Sequence, residues 1–366
     1  MSSFKSYFLL LLLFPFSLSS FQTSLLRSIS YSSMNESVLF SPLSIYQTLC
    51  LIANGANGHT QMEILHALGS SDIVGLNLKN SKYVSEQTKE SLQIANAIFS
   101  KFHPMESFIE IAMKYKAKST KLDSVDQVNQ WCADHTNNKI TQIIDDISEI
   151  ELLFINAVYF KSNWKYAFDP SLTVEHPFNN ADGSTTNVKM MKQTHSYLYY
   201  ETRSYQVVEI PYAEEGISAV IILPDDLNDF IESLNDSEVN KIFKGLKEKK
   251  VHLQLPRFEF ESSMSLINNL KEVGIDRAFD KISADFTNIT NHIKLHINKM
   301  IHKTYLQVNE EGTEAAAVTV TTLECCAVGG GDEVKEMIVD RPFLFMIKDK
   351  DVSDNMVFIA KMDQLK

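Results

Sequence analysis

Residues 152–161 read LLFINAVYFK, and residues 221–223 close a second run that is almost wholly apolar. Neither run alternates as a strand with one wet face would. Near-continuous apolar runs suit strands buried on both faces, so the fold must cover at least one sheet from two sides. Much of that cover precedes the runs in sequence. Residues 23–28, 43–53, 60–68 and 108–115 carry apolar side chains at helical spacing. The stretch SPLSIYQTLCLIANGA offers Ser41 as an N-cap and Pro42 at the first helical position, and it ends near Gly55. VDQVNQWCADHTNNKITQIIDD, residues 125–146, reads as another amphipathic helix.

The second half is strand-rich. Strands are expected at residues 152–161, 197–201, 207–211, 218–223, 251–260, 301–308, 342–348 and 356–362. Helices first and strands later describe an α+β fold, not alternating βαβ units. With 366 residues, 44% hydrophobic and 22% charged, the chain can build a sizeable core. No repeat, low-complexity linker or composition break divides it, so a single large domain is expected. The net charge of −12 argues against a nucleic-acid partner. Four cysteines do not make a disulfide scaffold. Cys50 and Cys132 sit in helical apolar patterns as core thiols, whereas the adjacent Cys325 and Cys326 are expected to be exposed.

The N-terminus, MSSFKSYFLLLLLFPFSLSSF, has Lys5 before a short apolar stretch and small residues at Ser17 and Ser19. This is a signal-peptide pattern, too short and proline-interrupted to span a membrane. Residues 1–20 are expected to be removed and residues 21–366 to form the secreted, extracellular domain. The alternative is a first helix with an apolar face, in a cytoplasmic protein. Asn35, Asn235 and Asn288 head glycosylation sequons.

Catalytic motifs are missing. No GxSxG, HExxH, CxxC, P-loop or dinucleotide-binding glycine pattern occurs. No enzyme activity, cofactor or metal is therefore expected. His292 and His296 are four apart, in a strand-like context that would not bring them together. Lys114, Lys116, Lys118 and Lys121 form one basic stretch, and residues 244–250 another. Solvated faces are the default, with a polyanion-binding surface as the alternative.

Several motifs carry a resemblance. FSPLSIYQTL, INAVYFKSNWKYAF, LQLPRFEF, HKTYLQVNEEGTEAAA and DRPFLFMIKD occur in this order. Together they make the chain similar to serpins, the serine protease inhibitors, and closest to the ovalbumin-type branch. The resemblance runs from about Phe21 to the C-terminus. It implies a monomer with three β-sheets, eight or nine helices and an exposed reactive loop over residues 312–340. It implies that Ser41, Ser44, Asn156 and His302 form a polar cluster beneath the central sheet, where strands must part. It implies that Trp164, Arg257 and Glu310 mark the top of that sheet, with Arg257 pairing Glu310. Three departures stand out. The span from Gly69 to Asn96 is short, which argues against a heparin-type helix there. Asn138 and Ala360 stand where the family often has glycine.

The stretch EEGTEAAAVTVTTLECCAVGGGDE then acquires a reading. Glu310, Gly312, Thr313, Glu314, Ala315, Ala316 and Ala317 would form the loop hinge. Thr313, Ala315, Ala317, Thr319, Thr321 and Leu323 share one face at period two, and all but the last are small. Val318, Val320 and Thr322 supply strand propensity on the other. An unpaired strand is normally a liability; here it would be a stored partner for the central sheet. Counting along the loop as in inhibitory relatives puts the scissile bond at Cys326–Ala327, with Leu323, Cys325 and Val328 as alternatives. A small apolar bait suits an elastase-like protease, and Leu323 a chymotrypsin-like one. The resemblance thus implies a suicide-substrate inhibitor that forms a covalent complex with a serine protease. A non-inhibitory carrier, chaperone or storage member, or an inhibitor of cysteine proteases, is the alternative.

Overall fold

The computed structural model describes residues 16–86, 91–313, 333–350 and 355–366. Six helices fall in the first half: α1 (Phe16–Ser32), α2 (Pro42–Gly55), α3 (Gly58–Ala67), α4 (Ile73–Glu86), α5 (Glu106–Lys114) and α6 (Val125–Asp134). Strands β1 (Val38–Phe40), β2 (Leu92–Ser100) and β3 (Ala117–Lys121) lie among them. Then follow β4 (Leu152–Phe160), β5 (Ser162–Asn163), β6 (Val174–Asn179), β7 (Thr185–Glu201), β8 (Tyr205–Pro211) and β9 (Ile217–Pro224). After α7 (Leu227–Ser233) and α8 (Asp236–Gly245) come β10 (Lys247–Pro256), β11 (Phe258–Ser265) and α9 (Ile267–Glu272). Strands β12 (Met300–Val308), β13 (Gly312–Thr313), β14 (Lys335–Ile338), β15 (Phe343–Asp349) and β16 (Asn355–Met362) complete the chain. The α+β expectation holds, with nine α-helices among the described residues.

The central sheet has the order β3-β2-β4-β12-β13-β5, with β11 on the far side of β12. The other layer runs β1-β16-β15-β9-β8-β7-β10-β14, with β6 also on β7. Hydrogen bonding joins two of the three expected sheets because β7 is 17 residues long and serves both. Its first part pairs β6, its middle β10 and its end β8.

Every residue of β4 and of β9 is buried, as their apolar runs require. Side chains alternate across β4. Phe154, Val158 and Phe160 enter the main core with Leu306 and Val308. Leu153, Ile155 and Ala157 enter a second cluster with Val128, Trp131, Cys132 and Tyr305 under α6. The central sheet is thus sandwiched between the main body and α6.

Three local expectations are corrected. Helix α6 stops at Asp134 and does not reach residue 146, because Asn137 and Asn138 take φ of 48° and 60°. Asn tolerates that left-handed geometry better than most side chains, which explains why a glycine is common at position 138. Residues 251–260 are not one strand: β10 ends at Pro256, β11 begins at Phe258, and the two belong to different sheets. Strand β7 extends far upstream of residues 197–201. Helix α4 occupies the short span between Gly69 and Asn96, and it exposes Val74 and Leu78. Helix α1 begins at Phe16 and so crosses the expected cleavage position. Ala360 is buried in β16 between Leu39 and Phe345, so the family's glycine is not needed for space here.

Candidate functional site

The central sheet is closed at its lower end and parted at its upper end. Strands β4 and β12 pair in parallel from Phe154 with Met300 to Val158 with Thr304. Above that row, Tyr159–Lys161 and Tyr305–Gln307 share no ladder among the described residues. At the top, β13 fills the gap: Thr313 pairs with Val308 on one side and Ser162 on the other. The chain therefore leaves β12, reverses and starts back down between the two strands.

The reversal is built from local polar contacts. The Asn309 amide donates to the Gly312 carbonyl at 2.9 Å. The Asn309 side-chain oxygen accepts from the amides of Glu311 and Gly312 at 3.0 and 3.1 Å. Trp164 grips the turn from outside. Its indole N–H donates to the Asn309 carbonyl at 2.9 Å, and its amide to the Glu311 carbonyl at 2.8 Å. Gly312 is fixed by space. A Cβ there would lie 2.2 Å from the Ser162 carbonyl oxygen and 2.6 Å from the Asn163 Cα, so no side chain fits while β13 is seated.

Glu310 is buried at this junction. It lies 3.4 Å from the Arg257 Nε and accepts the Thr173 hydroxyl at 2.7 Å. The expected Arg257–Glu310 pair is thus present. Arg257 is about half exposed, so the pair itself is worth ~0–1 kcal/mol. Arg257 is available because it occupies the single residue between β10 and β11.

Within the closed rows lies the polar cluster. Ser41 caps α2 by accepting from the Ser44 amide at 3.3 Å, while its own amide donates to His302 Nε2 at 2.9 Å. The Ser44 hydroxyl donates to Asn156 Oδ1, and Asn156 Nδ2 donates to Asn96 Oδ1 at 2.7 Å. His302 and Asn156 are cross-strand partners, so the cluster spans the joint between β4 and β12. All four expected residues come together.

Burial pushes the His302 pKa down to about 3. The ring is held neutral, accepting at Nε2. A base depressed in the folded state keeps its full stabilising effect above its ordinary pKa of about 6.5 and loses it as pH falls towards 3. Each pH unit below 6.5 should remove up to ~1.4 kcal/mol. The urea midpoint of native protein should therefore drop between pH 7 and pH 5, and His302→Gln should drop less. Equal drops in both would refute His302 as the source.

Sequence reasoning missed Tyr212, Thr173, Asn96 and Asn309. Each reaches the site through tertiary contact or a tight turn, and none carries a periodic signal. Hinge positions Glu314, Ala315, Ala316 and Ala317, the Cys326–Ala327 bond and its alternatives Leu323, Cys325 and Val328 lie outside the described residues. Cys50 and Cys132 are free and buried; burial pushes both thiols up, Cys132 to about 12. Among the described residues no group of three or more His, Cys, Asp or Glu could hold a metal ion. His292 and His296 lie in the irregular segment before β12. Lys114, Lys116, Lys118 and Lys121 are exposed at and beside β3, an edge strand where charge discourages strand-to-strand association. The sequon residues Asn35, Asn235 and Asn288 are all exposed, although Asn235 also caps α8.

Comparison with known proteins agrees with this geometry. The family described as Serpin (serine protease inhibitor) matches residues 17–364. Neuroserpin from Gallus gallus is 33% identical over 346 residues, covering 86% of this chain and 83% of its own. Leukocyte elastase inhibitor from Equus caballus is 28% identical, covering 93% and 96%. The crystal structure of tengpin, a thermophilic serpin in its native state, superposes with a TM-score of 0.87. It is 30% identical and covers 96% of this chain and 94% of its own.

Proposed function

This chain belongs to the serpin family, and we propose that it inhibits serine endopeptidases as a suicide substrate. The observation that carries this reading is β13. Two residues of the hinge already sit in the central sheet, and the next nine, EAAAVTVTT, contain no proline and nothing larger than valine apart from Glu314.

The seated pair supports one register for the remainder. Thr313 lies between Val308 and Ser162. Continuing that antiparallel register sets Ala315 between Leu306 and Phe160, Ala317 between Thr304 and Val158, and Thr319 between His302 and Asn156. Glu314 to Ala316 would occupy the rows that are already parted. From Ala317 onwards, each residue must open a row that is now paired. Thr319 would enter at the polar cluster, which is where β4 and β12 must separate.

The mechanism is as follows. A protease serine attacks the bait carbonyl and forms an acyl-enzyme, releasing the amine end of the cut bond. That cut frees the hinge segment from β14. The freed segment inserts between β4 and β12, carrying the acylated protease with it and distorting its active site. Loss of a catalytic triad costs roughly 10⁶ in rate, or about 8 kcal/mol. About a dozen new ladder hydrogen bonds at ~0.5–1.5 kcal/mol each give on the order of 10 kcal/mol, enough to drive the distortion.

The targets we propose are elastase-like, through cleavage at Cys326–Ala327, or chymotrypsin-like, through Leu323. The name of the leukocyte elastase inhibitor, a relative, fits the former. We further propose that the protein is secreted after removal of residues 1–20 and acts as a monomer. Mass spectrometry of the mature N-terminus tests the processing. A panel of serine proteases, resolved on denaturing gels, tests the mechanism. Elastase- or chymotrypsin-like members should form SDS-stable complexes at near one-to-one stoichiometry. Cleavage of the loop by every protease, with release of active enzyme each time, would refute it.

A further inference from the structure

We propose that Tyr212 is a positioning residue that holds the hinge seated in the central sheet before any cleavage, and so sets the balance between trapping and release. Its effect on trapping rests on the inhibitor reading above; its effect on the hinge does not.

Tyr212 follows β8 in the other layer of the molecule. Its backbone is anchored by its amide, which donates a hydrogen bond to the Ile217 carbonyl at 3.1 Å, and by a β-bridge to Trp164. Its ring stacks on Trp164, with centroids 4.4 Å apart and planes 14° from parallel. Phe160 meets it edge-on at 5.1 Å. These contacts leave the ring no freedom to swing. Its hydroxyl lies 2.7 Å from Thr313 Oγ1, and both residues are buried. The hinge is thus gripped twice: Trp164 holds the turn over residues 309–311, and Tyr212 holds the first inserted side chain.

A buried hydroxyl that loses its partner costs more than the bond itself contributes. Lifting Thr313 out of the sheet would strand the Tyr212 hydroxyl between Trp164 and Phe160. The bond therefore favours the seated hinge. A seated hinge has completed its first step of insertion before a protease arrives. An expelled hinge gives a longer, freer loop that a protease reaches sooner, but that loop must insert from the start. Removing the bond should leave the rate of protease association unchanged or higher, while more inhibitor is cleaved without trapping.

Hydrogen exchange of the intact protein, read on peptides covering residues 309–313, tests the grip directly. Tyr212→Phe and Thr313→Val should each speed exchange of the Gly312 and Thr313 amides by roughly 3- to 10-fold, the span of one net hydrogen bond. Thr313→Ser, which keeps the hydroxyl, should behave as wild type. The double variant Tyr212→Phe/Thr313→Val should exceed neither single one, since both remove the same contact. Exchange over residues 153–158 should not change, which separates a local latch from general destabilisation. Wild-type exchange at the hinge in Tyr212→Phe would overturn the proposal. So would a Tyr212→Phe protein that traps protease at wild-type stoichiometry despite a loosened hinge. If wild type itself forms no stable complex, the inhibitor reading fails, and the exchange data alone decide the role of Tyr212.

Discussion

Ala317→Glu is expected to convert the protein from an inhibitor into a substrate. If insertion continues the register of Thr313, position 317 would come to lie between Thr304 and Val158, both with no exposed surface. The side chain would point the same way as Thr313, towards the main core. A glutamate there must either stay charged without a partner or take up a proton, at a cost of several kcal/mol. It would also overfill a space that fits a methyl group. This is the first row that insertion has to unzip, so the penalty falls on the step that competes with deacylation. At ~1.36 kcal/mol per decade, a penalty of about 3 kcal/mol slows insertion by ~100-fold. The stoichiometry of inhibition should rise from near one to above ~10. Glu314 does not meet this obstacle. By strand alternation it would face the α6 side, in a row already open. A variant that still inhibits at near one-to-one would mean that residue 317 does not enter the sheet in this register.

Much of this architecture can be read from the chain. The apolar runs that became β4 and β9 required cover on both faces, and the structure provides it. Ser41 and Pro42 mark the start of α2 because capping chemistry is local. The polar cluster and the Arg257–Glu310 pair were expected from the family resemblance that the motifs carry, not from spacing or periodicity. What could not be read depends on distant partners. The division between β10 and β11 is a single residue, Arg257, and nothing local says that the chain changes sheets there. Helix α4 hides Leu76 and Asn80 yet exposes Val74 and Leu78, so its pattern does not read as an ordinary surface helix. The end of α6 depends on two asparagines in left-handed geometry, inside a stretch whose apolar spacing continues past them. The residues that hold the hinge were hidden for the same reason. Tyr212 lies 101 positions from Thr313, and Thr173 lies 137 from Glu310.

The second large effect concerns the native state itself. The central sheet is parted at the top and paired at the bottom, and on the proposed function residues 314–323 are the strand that would join it after cleavage. Joining that strand to both neighbours would add ladder bonds and bury small apolar side chains, a step that the proposed mechanism withholds until the loop is cut. The intact protein should therefore be trapped above its ground state. Cutting the loop removes the barrier without removing any contact. The gain estimated above is on the order of 10 kcal/mol, and a chain of this length unfolds with an entropy of roughly 2.1 cal/mol/K per residue. The melting temperature should then rise by on the order of 10 °C or more.

One measurement bears most directly on this. The protein is nicked once within residues 314–332 by a protease that it does not trap, and thermal unfolding of nicked and intact samples is followed by circular dichroism. The account predicts a nicked form that melts on the order of 10 °C or more above the intact one. A nicked form that melts at the same temperature, or lower, would contradict it.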